Sequence, residues 1–300
     1  DDNRVFLYKE YLRIIAEHQP AIFVMENVKG LLSAKINDEK IFKKILTDLS
    51  NPATVFQSSS SKKYQIYSLV KQSVKSDNDY LIKSELYGIP QKRHRVILLG
   101  IRADIDVIPL ILKTKKNLSL QSVIGNLPAI RSGLNRQYSG SVFYGSKKKR
   151  SYISIKDSPQ LWEKYINKFK QEILQWNRFK TIPDKGTVVS PVFGTGAEYL
   201  SVKCDFDDNH PLKSWYQDSR FDGITHHCSR NHLVEDLFRY LFSALFSASE
   251  NRFPRLSEYQ KYSDRLLPDH DNVSSGKFND RFRVQMPQLP ATTITSHISK

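Results

Sequence analysis

An apolar run of five residues, Ala21-Ile22-Phe23-Val24-Met25, stops abruptly at the acid Glu26. A run this short and unbroken predicts a strand buried on both sides, as in a parallel sheet. Before it, Val5, Tyr8, Leu12 and Ile15 share a helical face over residues 3–18, with Asn3 or Asp2 able to cap and Pro20 ending the helix. After it, Asp38 is expected to cap a second helix, with Ile41, Ile45, Leu46 and Leu49 on one face. Helix, strand, helix in that order predicts an α/β layer.

Tyr64 to Val70, Tyr80 to Leu86 and Val96 to Ile101 read as further strands, and the serine run Ser58 to Ser61 as a loop. The turn Tyr87-Gly88-Ile89-Pro90 separates the last two strands, because Pro90 has no N–H for a ladder. Near residue 113 the alternation stops and Ser, Gly, Asn and Lys take over. Residues 113–150 and 180–230 are expected to be irregular, with Lys147-Lys148-Lys149-Arg150 in a solvated loop that meets phosphate. A helix is expected over Pro159 to Phe179, with Leu161, Tyr165, Phe169, Ile173 and Trp176 near one face as packed core with a basic rim. Another is expected over residues 232–249, inside the apolar region Leu233 to Ala248. Thr292 to Ile298 looks β-like.

Charge narrows the function. Lys and Arg number 46 against 31 Asp and Glu, a formal net charge of +15. Such a surplus points to a polyanionic partner, usually nucleic acid. Cys204 and Cys228 are the two cysteines, too few for a disulfide scaffold and in keeping with a reducing compartment. No signal peptide or membrane span is apparent, so a cytoplasmic location is expected. His226, His227, Cys228 and His232 cluster, but without paired zinc-ligand spacing; a polar loop is the favoured reading, with no metal. Gly194-Thr195-Gly196 lacks the third glycine of a dinucleotide fingerprint and reads as a turn. The chain opens without methionine, and a fragment of a longer protein is the expectation.

Glu26 and the segment Gly88-Ile89-Pro90-Gln91-Lys92-Arg93-His94-Arg95 carry the chemistry. A carboxyl at the end of a strand in an apolar surround is expected to have its pKa raised by desolvation, which suits it to hold a proton at a ring nitrogen. Arg93 and Arg95, two apart in an extended segment, are expected to point the same way and to hold a base carbonyl, a phosphate or Glu26 itself. A Glu pairing with an arginine and an exposed basic edge are the plainer readings.

Val24-Met25-Glu26-Asn27-Val28-Lys29-Gly30 resembles the Glu-Asn-Val motif of DNA (cytosine-5) methyltransferases, and Tyr87 to Arg95 resembles their Gln-x-Arg-x-Arg motif with its preceding turn. Leu289-Pro290-Ala291-Thr292-Thr293-Ile294 is similar to the Arg-Pro-x-x-Thr-Ile stretch, with Leu289 in place of the usual Arg. The three matches stand in family order. The resemblance implies a partial Rossmann-like domain dependent on S-adenosyl-L-methionine, with a mixed sheet, followed by a mostly irregular target recognition domain. On that basis residues 1–112 belong to the catalytic domain, 113–280 to the target recognition domain, and 281–300 to a return segment.

The same resemblance implies that Glu26 contacts nitrogen 3 and the amino group of a flipped cytosine in double-stranded DNA. Arg95 contacts oxygen 2, Arg93 positions the catalytic loop and Glu26, and Asn27 and Gln91 contribute to substrate binding. It places the methyl donor's Gly-rich loop and the Pro-Cys nucleophile loop upstream of Glu26, where nothing here matches; no cofactor-binding residue is assigned. Cys204 and Cys228 lack the preceding proline. The 300 residues alone are therefore expected to be inactive. One alternative is a duplex-DNA-binding subunit of a split methyltransferase, with the nucleophile on a second chain. Another is an unrelated basic α/β domain.

Overall fold

The structure, a computed structural model, describes residues 7–36, 38–56, 62–145, 147–268 and 282–293. Asp2, Asn3 and Val5, the run Ser58 to Ser61, and Ile294 to Ile298 lie outside the described residues. The rest form two compact units of mixed α/β character, one running to Ser119 and taking in Pro290–Thr293, the other running Leu120–Leu289. Contacts thus part at Ser119, whereas composition shifts from about residue 113.

The first unit opens with α1 (Leu7–His18), which buries Tyr8, Leu12 and Ile15 at helical spacing. Gln19, at φ 44°, and Pro20 turn the chain into β1 (Ile22–Val28). The short strands β2 (Lys35–Ile36) and β3 (Glu39–Lys40) pair, and α2 (Ile41–Ser50) and α3 (Ala53–Phe56) follow. Asp38 does not cap α2: it sits in the β2–β3 turn at φ 64°, and Lys40 holds the cap position. A short polar residue tolerates that left-handed turn as readily as a cap, so the sequence did not separate the two roles. Next come β4 (Tyr64–Ser68), β5 (Leu81–Lys83), β6 (Gln91–Lys92) and β7 (His94–Arg102). The strand expected over Tyr80 to Leu86 is thus only three residues long, between 3-10 turns at Asp77–Tyr80 and Ser84–Tyr87.

One sheet has the order β1-β7-β4, with β5 also on β7, and every pairing in it is antiparallel. This corrects the expectation of a parallel strand buried on both sides. β1 pairs only with β7 among the described residues, and its outer face leaves Ile22, Val24 and Val28 more than half exposed. Its inner face turns Phe23 into a core with Leu12 and Ile15 of α1, Phe42 and Ile45 of α2, and Val96 and Leu98 of β7. An all-apolar run satisfies one covered face as well as two, so it could not report which applied.

The second unit begins with α4 (Gln121–Ile124) and continues into β8 (Gly133–Tyr144) and β9 (Lys147–Ser154), an antiparallel ribbon. The Lys147 to Arg150 run is therefore strand rather than loop. Ser158 caps α5 (Pro159–Leu174) through Leu161 N–H, 3.1 Å away, with Pro159 at the first helical position. The helix stops five residues before Phe179. Its buried face is Trp162, Ile166, Phe169 and Ile173, so Leu161, Tyr165 and Trp176 flank the core. Then follow β10 (Gly196–Leu200), α6 (Lys213–Tyr216), β11 (Ile224–Cys228), β12 (Asn231–Leu233), α7 (Val234–Glu250) and α8 (Leu256–Tyr262). β10 and β11 pair antiparallel, and β12 joins β8 in parallel. Residues 180–230 are thus less irregular than expected, and the histidine cluster spans two strands, not one polar loop. α7 packs Phe238, Phe242 and Phe246 against α5 and Phe179, with the Phe169 and Phe238 rings 4.7 Å apart. No described helix is long and apolar enough to cross a membrane.

β13 (Ala291–Thr292) lies in parallel beside β6, with Ala291 opposite Gln91 and Thr292 opposite Lys92. Ala291 N–H donates to Pro90 O at 2.9 Å and Thr293 Oγ1 to Lys92 O at 3.0 Å.

Candidate functional site

Antiparallel register brings the acid and one guanidinium together. β1 and β7 pair Val28 with Arg95, so Glu26, two residues back on the same face, is Arg95's diagonal neighbour. Arg95 Nε lies 2.6 Å from Glu26 Oε1, and its Nη1 donates to His94 O at 2.9 Å. By strand alternation Val24, Val28, Ile97 and Leu99 share this face. The expected apolar burial of the carboxyl is not met: the Glu26 side chain is 52% exposed and the Arg95 side chain 21%. Val24 and Val28 on the same face are likewise more than half exposed.

Arg93 is not brought into this pair. Its N–H donates to Gln91 O at 3.0 Å and to Ser84 Oγ at 2.8 Å, so the chain turns there instead of running extended from β6 into β7. That turn breaks the period-two argument, because β6 and β7 belong to different sheets. The Arg93 side chain is exposed and makes no hydrogen bond or ion pair with a described residue. Gln91 holds its place through its carbonyl, which accepts from Ser84 Oγ at 2.5 Å. Asn27 alternates to the opposite side of β1 from Glu26, and its Oδ1 accepts from Val28 N–H at 2.8 Å.

Local sequence explains why Arg95 sits where it does. Gly88 takes φ 80° at the end of the 3-10 turn, a conformation that disfavours side chains with a Cβ, and Ile89 N–H closes back on Ser84 O. Pro90 then precedes β6, where no ladder donor is needed. Glu85, buried in that turn, reaches His94 Nε2 at 2.9 Å and fixes the first residue of β7. Sequence reading missed Glu85; no spacing rule announces a contact made across a turn and a strand start.

The thiols belong to another part of the chain. Both cysteines lie in the second unit. Burial raises the Cys204 thiol pKa, with Asp205 adding to it, and Cys204 Sγ lies 3.3 Å from Asn126 O. Cys228 is raised by its hydrogen bond to Glu198 Oε1 at 3.4 Å and then by burial. His226 Nδ1 meets Glu198 Oε2 at 2.7 Å and His227 Nε2 meets Pro128 O at 2.8 Å. His232 stacks on Tyr240, where burial lowers its pKa. A cavity of about 1010 Å³ also lies in the second unit, lined by Tyr138, Arg150, Tyr152, Lys168, Arg230 and Tyr240 among others; Glu26, Arg93 and Arg95 take no part in it.

The first unit thus carries a carboxylate steered by a guanidinium on its sheet, with a third segment from 200 residues on laid against β6. Residues 1–190 match the model of the C-5 cytosine-specific DNA methylases, and the chain belongs to that family. It is 43% identical over 101 residues to the Type II methyltransferase M.BbvI of Brevibacillus brevis, covering 34% of this chain and 22% of that protein. It is 33% identical over 106 residues to the Type II methyltransferase M.BspRI of Lysinibacillus sphaericus, covering 35% and 20%. The chain therefore spans about a fifth of the length of these relatives. A solved E. coli prophage protein described as a DNA modification methyltransferase covers half of this chain, and 38% of its own, at 20% identity and a TM-score of 0.29; a likeness so distant carries no weight.

Proposed function

We propose that this chain forms part of a restriction–modification enzyme that transfers a methyl group from S-adenosyl-L-methionine to carbon 5 of a flipped-out cytosine in duplex DNA. The observation that carries the reading is the Glu26–Arg95 pair at 2.6 Å on the open face of β1 and β7. Carbon 5 is a weak nucleophile until a thiolate has added to carbon 6, and electron density then builds on ring nitrogen 3. Glu26, protonated or sharing a proton with that nitrogen, stabilises the change. Arg95 orients the carboxyl and is assigned to donate to ring oxygen 2. Arg93, exposed at the joint of two sheets, is assigned to the approach of the catalytic loop, with Asn27 and Gln91 supporting the base site.

The methyl donor supplies the transferred group when bound, but the described residues do not fit its cradle. The three glycines of the first unit are Gly30 in a 3-10 turn, Gly88 in the turn before β6, and Gly100 beneath the Phe23 ring. None forms a strand-to-helix phosphate or nucleotide turn. Neither cysteine has the proline that precedes the family's nucleophile, and the nucleophile and the donor site are assigned to polypeptide outside these 300 residues. The edge of β1 left unpaired among the described residues, with its exposed Ile22, Val24 and Val28, is where such polypeptide would pack. The same observation supports a second reading, a DNA-binding subunit of a split methyltransferase.

The test is Glu26→Gln in the active assembly. Methylation should fall by about a hundredfold to ten-thousandfold, with duplex binding retained. Methylation at the original rate would sink the assignment.

A further inference from the structure

Resting on the reading of Glu26 and Arg95 as the base-holding pair of a DNA methyltransferase, we propose that Glu85 and His94 form a positioning pair. Together they set the angle at which Arg95 holds the Glu26 carboxyl. Glu85 sits in the 3-10 turn Ser84–Tyr87 with 12% of its side chain exposed. Both of its oxygens lie within reach of one atom, His94 Nε2, at 2.9 and 3.2 Å. The turn has other fastenings: Ile89 N–H closes on Ser84 O, Lys115 N–H donates to Leu86 O at 2.8 Å, and Gly88 supplies the left-handed residue. An apolar pair of similar volume is commonly at least as stable in such a place, because a carboxylate is costly to take from water even when paired. What the acid and the imidazole add is direction. A carboxylate only accepts, so the proton sits on His94 Nε2 and the ring keeps one orientation.

That orientation passes on through the peptide of His94. His94 and Arg95 are the first two residues of β7, so their side chains leave opposite faces of the strand. His94 is on the side of the buried Val96 and Leu98, and Arg95 on the side of Glu26. Glu85 thus holds the His94 ring from the core side while the His94 carbonyl accepts from Arg95 Nη1 at 2.9 Å. The guanidinium is planar, so an acceptor fixed at Nη1 also aims Nε, which lies 2.6 Å from Glu26 Oε1. Little else steadies this end of the strand. β1 accompanies β7 only as far as Arg95, opposite Val28, and His94 is opposite Lys83 of the three-residue β5. Ahead of it the chain turns at Arg93, whose N–H is held by Ser84 Oγ at 2.8 Å. Ser84 and Glu85, neighbours in one turn, therefore secure the two residues that lead into Arg95.

The consequence is kinetic. With Glu26 half exposed, its aim depends on Arg95, and a displacement of about 1 Å at a reacting group can slow a reaction roughly a hundredfold. Glu85 acts only through His94 and Arg95, on the far side of the strand from Glu26. Its loss belongs in the chemical step and not in duplex binding, and it matters only while Glu26 is there to be aimed.

The experiment is steady-state methylation of duplex DNA by variants of the active assembly. Glu85→Leu should melt no lower than wild type and keep KM for the duplex within about threefold, while kcat falls by about tenfold to a hundredfold. Added to Glu26→Gln, it should slow the enzyme no further, because both changes act on one contact. His94 supplies an independent pair. His94→Gln retains an amide N–H for Glu85 and should keep kcat within about threefold of wild type. His94→Phe retains the ring without a donor and should match Glu85→Leu. An unchanged kcat in Glu85→Leu overturns the positioning role. So does an equal loss with and without the Glu26 carboxylate, which would mark a general structural effect. Equal kcat in His94→Gln and His94→Phe also overturns it, and this comparison decides the matter if Glu85→Leu does not fold. Methylation at the original rate in Glu26→Gln alone would remove the parent reading first, and the Glu85–His94 role with it.

Discussion

Arg131 and Asp157 show how much a single pair can hold. The Arg131 side chain is 4% exposed and binds Asp157 through two parallel hydrogen bonds of 2.9 and 2.8 Å, while Leu134 N–H adds a third to the same carboxylate. Arg131 also donates to Ser190 Oγ and Ser132 O, so one guanidinium ties together the start of β8, the approach to α5 and the segment after it. The hydrogen bond from Arg131 is the main reason the Asp157 carboxyl titrates below its usual range; Leu134 assists and burial opposes. A folded-state pKa below the unfolded value of about 3.9 gives stability that is complete at neutral pH. That stability is lost as pH falls from about 4 through the folded-state value. Asp157→Ala should cost roughly 3 kcal/mol near neutrality, because it strands a buried cation. It should also flatten the decline of melting temperature with acid over that window, and an unchanged acid limb would count against the pair. Glu26 contrasts with it: exposed and singly paired, it is a residue the fold presents and does not lean on.

Among elements, β7 organises the first unit, because β1, β4 and β5 all pair with it. The Phe23 ring of β1 lies directly over Gly100, its register partner, so that a Cβ there would come within 2.2 Å of the ring. Gly100→Ala should therefore cost about 1–3 kcal/mol by overpacking, measured as a lowered midpoint in urea. Full stability would show that the ring has room to move. Helices were the most legible elements: α1 and α7 fall where spacing put them, since three- and four-residue periodicity is written locally. The ribbons were not. β8–β9 and β10–β11 run through Ser, Lys, Gly and His, residues that resemble a loop until a partner strand supplies their hydrogen bonds. α5 was placed but turned by one residue: Trp162 and Ile166 face the core, and Leu161 and Tyr165 flank it. Several overlapping apolar stripes were available, and packing against α7 selected one.

For the molecule as a whole, charge and sulfur make the sharpest statements. Net charge +15 should make duplex binding fall steeply with salt, in proportion to the phosphates neutralised. Mixed with S-adenosyl-L-methionine and cytosine-containing duplex DNA, the 300 residues should transfer no methyl group; measurable transfer would show that Cys204 or Cys228 serves after all, against the raised pKa of both. The sequence by itself determined the family, the α/β character and the major helices, because motifs and periodicity are properties of neighbours along a chain. Only tertiary structure decided that Arg95 and not Arg93 meets Glu26, that the carboxyl lies half exposed on an antiparallel strand, and that residues 91–92 and 291–292 run side by side. Those facts depend on strand register and on which faces find cover. Both are set by contacts between segments far apart in sequence, and no local pattern encodes them.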